Sequence, residues 1–292
     1  MNKIKKKKRK EHPFFYLLPT LVILCLLVAY PLLNNLINSL SMQGMFPTWA
    51  NYQKLFSDKY FRQDLKNTFQ WLFYTVPFEM LLGLLIAILL NGKIGMKKFF
   101  RTIFIIPWVI PAVVVCIIWK WIYNADYGIL NYILQALGLI QKNQLWVSDP
   151  KQVLQCIAVV YVWKISPFVM IMYLSGLQSI SADIYESARL DGANWLQQVG
   201  YITLPLLFPV MRSVILVSVI WSLNSFVYIY SISGGGPARV SEIVQIFIYK
   251  TGIEQYNFQY SAAAANVFLL IVMVIAFVYI SMTEKQDKEM TG

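Results

Sequence analysis

Six apolar stretches, each long enough to cross a bilayer, dominate this chain and restrict what it can fold into. They occupy residues 14–40, 68–90, 103–123, 153–177, 204–232 and 262–282. A membrane-spanning helix takes about 20 residues. Hydrocarbon offers no partner for an unpaired backbone N–H or C=O, so spans of this kind are predicted to be helical. The alternating pattern of a barrel strand is missing. Only 13% of the 292 residues are charged, about half the share usual in a soluble domain. The predicted fold class is therefore an all-α integral membrane protein with six transmembrane helices. A basic tail (1–13), a transmembrane domain (14–282) and a short second tail (283–292) divide the chain.

The net charge of +11 does not point to nucleic acid. Seven basic residues lie between Lys3 and Lys10, before the first apolar stretch, and four more lie between Lys93 and Arg101. Cations in these places orient a chain in the bilayer and meet anionic lipid. Placing the N-terminus inside puts 14 Lys and Arg in inside segments and eight in outside ones. Both termini, and residues 179–203, are then cytoplasmic. The stretch 14–40 is too long for the apolar region of a signal peptide and reads as a retained first span. Cys25, Cys116 and Cys156 all sit in apolar stretches, and His12 is the single histidine. Metal, disulfide and histidine-based catalytic roles have little to build on.

Pro31, Pro77, Pro107, Pro111, Pro167 and Pro209 fall within the apolar stretches. Each removes a backbone donor and favours a kink. Residues 129–139 form an amphipathic stretch in the loop 124–152. Trp119, Trp121 and Tyr123 suit a membrane interface, with Lys120 snorkelling beside them.

The most informative segment lies between the fourth and fifth stretches, from Glu186 to Pro205. It reads as two short helices around a break. Ser181 is positioned to cap the first, Gly192 to end it with a positive φ, and Trp195, Val199 and Ile202 recur at helical spacing. Pro205 is expected just inside the next span, where its missing N–H costs little. A compact helical elbow of small residues, with Glu186 and Asp191 offering charge, is shaped to dock into another protein; a plain amphipathic connector would have the same form.

Glu186, Ser187 and Ala188, then Asp191, Gly192 and Ala193, then Ile202, Leu204 and Pro205, resemble the EAA motif of the membrane subunits of ABC importers; Ser187 departs from the middle alanine. Asn224–Phe226 followed by Gly234, Gly235, Gly236 and Pro237 resembles the carbohydrate-uptake branch, the family of the maltose permease large subunit. So do residues 163–168, 174–180, Asn67 with Thr68, Gly83, and the alanines 262–265. The resemblance covers about residues 10–285.

This resemblance implies a permease subunit moving a sugar or oligosaccharide across the cytoplasmic membrane of a prokaryote. Residues 186–205 would be a coupling helix between helices 4 and 5, docked on an ATPase. The expected partners are a second homologous permease, two cytoplasmic ATPases, an extracytoplasmic solute-binding protein and membrane lipid. No cofactor is expected on this chain. ATP and magnesium would sit on the partner ATPase, since the sequence has no phosphate-binding loop with its Lys-Ser/Thr. Gly234–Pro237 would belong to the loop where the binding protein docks. The substrate-lining positions carried over are Lys164, Ile165 and Phe168, with Trp221, Ser222, Ser225 and Val227.

Three ionisable residues, Glu79, Lys164 and Arg212, fall within the apolar stretches, where a lipid-facing charge is costly. Arg212 is expected to snorkel to the cytoplasmic surface, and Glu79 to pair with Lys164 or bond a neighbouring helix. A glycerol phosphate solute remains open as cargo, since Lys164 would tolerate an anion. An ion-coupled carrier lacks the carboxylate chain and the inverted repeat it would need. A membrane enzyme lacks clustered His, Asp or Glu.

Overall fold

The computed structural model describes residues 14–92 and 95–291. The basic tail 1–13, Lys93 and Gly292 lie outside them. All the regular elements among the described residues are helices. Five are long and apolar enough to cross a membrane: Leu17–Ser39, Lys59–Asn91, Val153–Gln178, Trp195–Leu223 and Phe258–Thr283. They are called here the first, second, fourth, fifth and sixth spans. A third is made only by joining Lys97–Val109 to Ala112–Ile122, two helices bent by 96°.

That bend is far sharper than a proline kink within the single span expected over 103–123, and its cause is local. Pro111 disfavours helical backbone in the residue before it, and Ile110 is extended (φ −64°, ψ 133°). The helix therefore stops at Val109. The first and fifth spans meet proline differently. Each takes a π turn ending just before an X-Pro pair: Tyr30 donates to the Cys25 carbonyl before Pro31, and Leu204 donates to the Val199 carbonyl before Pro205. The wider turn absorbs the register slip where a proline has no N–H to give. Pro205 is consequently well inside a span that starts at Trp195, not near its beginning. This span also stops earlier than expected. It breaks at Asn224, and a separate helix, Phe226–Ser233, follows.

The second and fourth spans form the centre of the bundle. Gly83 lets them touch: a Cβ there would lie 2.6 Å from Val169 Cγ1 and 3.0 Å from the Met170 amide nitrogen. Gly176 gives the fourth span a similar approach to Leu207 and Val210 of the fifth. One apolar core, around Trp71, Tyr161, Ile157 and Ile229, fills the half of the bundle far from residues 182–203. A second, around Ala87, Met170, Tyr173 and Leu207, fills the half nearer them. The first span packs mainly on the sixth, where Asn35 donates to Asn266 over 2.7 Å. The loop after the bent pair carries the helix Ile129–Ala136. It is organised by buried Asn131, which donates to the carbonyls of Ala125 and Gln144 and accepts from Trp146 Nε1.

Candidate functional site

Residues 182–203 form the expected elbow. Ser181 accepts from the Asp183 amide at the start of helix Ala182–Leu190. Gly192 takes φ +84° with open space where a Cβ would be, so the turn depends on backbone conformation alone. Asn194 then opens the fifth span with a reciprocal capping box to Gln197, a signal the motif reading passed over. The elbow is braced internally: Gln198 donates to the Ala193 carbonyl over 2.8 Å, and the Tyr185 and Thr203 hydroxyls are 3.0 Å apart. Glu186, Ser187, Asp191 and Gly192 are exposed, Ala188, Ala193, Ile202 and Leu204 half-buried, and Pro205 exposed. Large apolar side chains also stand outside: Leu190 is 89% exposed, Tyr201 81% and Leu196 72%. Behind the elbow lies a cavity of about 530 Å³, between Tyr185, Arg189, Trp195 and Thr203 on one side and Ile88, Asn91 and Leu177 on the other.

The carried-over substrate positions divide into two groups. Phe168 and Trp221 have ring centroids 4.5 Å apart, and the Trp108 ring is tilted against Phe168 at 5.8 Å. The Lys164 ammonium, buried beside them, donates to the Trp108 carbonyl. That carbonyl has no helical partner four residues on, because the helix ends at Val109. Ile165, Ser222 and Ser225 are enclosed in helix packing in this conformation, and Val227 is half-buried. Ile165 joins the far-half core. Ser222 Oγ lies 2.6 Å from Thr75 Oγ1, and its carbonyl accepts from Trp71 Nε1. Ser225 is 1% exposed, and the Val227 carbonyl faces the Cys116 thiol. Trp108 was not among the sequence candidates; its proximity to the break at Pro111 was the available signal.

The expected Glu79–Lys164 pair does not form. Lys164 is engaged at Trp108, and Glu79 is fully buried beside the Ser218 hydroxyl of the fifth span, the neighbouring-helix alternative. Arg212 does not snorkel to the surface. It is 7% exposed, donates to the Thr283 carbonyl over 3.2 Å and lies over the Phe208 ring. It thus ties the fifth span to the end of the sixth.

Gly234–Pro237 begin a closed loop at the far end of the bundle. Gly234 and Gly235 take φ +62° and +85°, and the Gly235 Cα faces the Glu242 side chain closely enough that a Cβ would come within 3.2 Å. Buried Glu242 binds Arg239 at 2.7 Å and Lys250 at 3.2 Å, while Arg239 reaches buried Asp64 at 3.3 Å. Lys250 also donates to the Gly234 carbonyl, and Asn67 to that of Glu242. Two carboxylates and two cations hold the loop onto the second span. Sequence reading missed this network, whose members lie up to 186 positions apart along the chain.

An all-helical bundle of apolar spans, with an exposed helical elbow at one end and a pinned loop at the other, is the build of a multi-pass membrane protein. The chain belongs to the family of binding-protein-dependent transport system inner membrane components, whose profile matches residues 79–292. It is thus an ABC transporter permease: a multi-pass transport subunit rather than an enzyme, with ATP hydrolysis on a separate chain. Over 94% of its length it is 33% identical to a probable ABC transporter permease of Pyrococcus horikoshii, 96% of which is matched. The trehalose/maltose transport system permease protein MalF of Thermococcus litoralis is 31% identical over 94% of this chain and 95% of its own. The sulfoquinovosyl glycerol transport system permease protein SmoG of Agrobacterium fabrum is 30% identical over 93% and 90%. The fold matches a chain of a bacterial ABC transporter involved in import of the acidic polysaccharide alginate. That match has a TM-score of 0.85 at 23% identity and covers 94% and 95% of the two chains.

Proposed function

We propose that this chain is one of two homologous permeases of a sugar importer in a prokaryotic cytoplasmic membrane, with six spans and both termini cytoplasmic. The cluster of Trp108, Phe168, Trp221 and Lys164 carries the sugar reading. Aromatic faces suit the apolar face of a sugar ring, and an ammonium suits its hydroxyls. Relatives named for trehalose/maltose and for sulfoquinovosyl glycerol support it. The elbow around Glu186–Ala193 serves as the coupling helix, and its exposed apolar side chains become the face seated on an ATPase. Gly234–Pro237 belong to the surface met by a solute-binding protein. Two ATPases, holding ATP and magnesium, close on ATP and push the elbows. The paired bundles open outward to the loaded binding protein, then inward after hydrolysis. The ammonium of Lys164 would also accept a glycerol phosphate compound, which is the second reading for the cargo.

The test is to purify the chain with whatever accompanies it, reconstitute the complex and measure ATP-dependent uptake of the ligand found on its binding protein. A second permease, an ATPase and a saccharide are expected. An active lone carrier, or a non-carbohydrate ligand, would overturn the class or the cargo respectively. Lys164→Ala is expected to abolish uptake while leaving assembly intact. Normal uptake by that variant would remove Lys164 from the site.

A further inference from the structure

Among the described residues Glu79 is the one acidic side chain in the middle of the bundle, and the mechanism above leaves it unused. It lies on the second span, one turn after Thr75, and faces the fifth span in antiparallel register. Thr75 meets Ser222, and Glu79 meets Ser218. All four side chains are 0% exposed. Both carboxyl oxygens of Glu79, the Ser218 hydroxyl beside it and the hydroxyl of buried Tyr161 lack a hydrogen bond of good geometry. No ion pair to Glu79 occurs among the described residues. The ionisable groups facing it are the Tyr161 and Tyr173 phenols of the fourth span. The fifth span presents Ser218 and Ser222, while its Arg212 is directed at Thr283 and Phe208. Lys164 is held at the Trp108 carbonyl.

A carboxylate without a counter-charge is not stable in such surroundings, and the group neutralises instead. A proton is the ligand that neutralises it without needing room. We infer that Glu79 is a proton-binding site: in this conformation it is an uncharged acid whose O–H donates to Ser218, closing a polar seam between the second and fifth spans. Resting on alternating access, the inference extends to the cycle. Where these spans part and water reaches the seam, the acid releases its proton to water and ionises. The closed state binds one proton more than the parted state, so low pH favours closure and rising pH favours parting.

The test uses the whole importer, labelled with carboxyl-13C glutamate, and the infrared difference between wild type and Glu79→Gln. A protonated-carboxyl band assigned to Glu79 is expected in the resting state, lost only as raised pH shifts the complex to the parted state. An ionised carboxylate band there would overturn the inference. So would a band that responds to sodium rather than to pH, since that describes a metal-cation site. Glutamine has the shape of the neutral acid, so Glu79→Gln should assemble normally; failure to assemble also counts against a neutral Glu79. In the resting-to-open equilibrium, Glu79→Gln should remove a pH dependence of up to about tenfold per pH unit. Equal slopes in both proteins would refute proton release but leave the import reading standing. The band without any ATP-driven uptake would refute the import reading and leave the proton site standing.

Discussion

Gly83→Ala tests whether the contact between the second and fourth spans is as close as it must be for the bundle to hold together. The new Cβ would lie 2.6 Å from Val169 Cγ1, 2.7 Å from Val169 Cβ and 3.0 Å from the Met170 amide nitrogen. Carbon atoms settle at about 3.5–4.0 Å, so the two helices would have to separate by roughly 1 Å. A rotamer change at Val169 moves Cγ1 but leaves its Cβ and the Met170 backbone in place. Overpacking of this sort costs about 1–3 kcal/mol, and two immovable contacts put Gly83 at the upper end. Replacing a helical glycine by alanine returns at most about 1 kcal/mol. The net loss is about 2 kcal/mol, or roughly 4 °C in Tm.

Gly176→Ala is the internal control. Its nearest contact is also 2.6 Å, but that atom is Leu207 Cδ1 at the end of a flexible side chain, so a change below about 1 kcal/mol is expected. Adding Val169→Ala to Gly83→Ala should restore only part of the loss, because Val169 Cβ remains. Thermal unfolding of the purified complex, followed by intrinsic tryptophan fluorescence, reads all four proteins. A Gly83→Ala variant as stable as Gly176→Ala, or fully rescued by Val169→Ala, would refute the packing argument.

Gly192→Val adds no clash but forces a β-branched residue to φ +84°. It should cost about 1–2 kcal/mol in the elbow and lower ATP-coupled uptake about 5–30-fold, whereas Gly192→Asn should retain most activity because asparagine tolerates this conformation. Equal uptake by the two variants would show that the turn does not govern coupling. Arg239→Met leaves buried Asp64 unpaired and Glu242 with Lys250 alone. It should destabilise the far-end loop by about 3 kcal/mol, read as protease cleavage near Gly234–Pro237, with partial recovery on adding Asp64→Asn; an uncleaved loop would contradict the pinning role. Trp221→Ala removes the ring nearest Phe168 and should weaken apparent substrate affinity about tenfold, or about 1.4 kcal/mol; an unchanged half-saturating concentration would place the substrate elsewhere.

Much of the elbow was legible because its determinants are local. Ser181 caps from two residues away, and Gly192 sets its own φ. The break at Ile110 was legible in kind from Pro111 but not in extent, because a 96° bend depends on what the second half packs against. Pairings between distant segments were not legible. Glu79 and Lys164 were the obvious charge partners by type, yet the freed Trp108 carbonyl claims the lysine. Nothing in the composition of residues 59–91 or 234–250 announces that Asp64, Arg239, Glu242 and Lys250 share one buried network.

The sequence by itself determined that the chain is helical and built for lipid, since hydrocarbon forbids unpaired backbone and the apolar stretches have spanning length. Its motifs also marked the elbow and the family, because those signals lie within short runs. Tertiary structure decided which buried polar groups find partners: Lys164 at Trp108, Arg212 at Thr283, and Glu79 beside Ser218 without a counter-charge. In a low-dielectric bundle the state of an ionisable group depends on what stands within a few ångströms of it. Only the packed helices specify those neighbours.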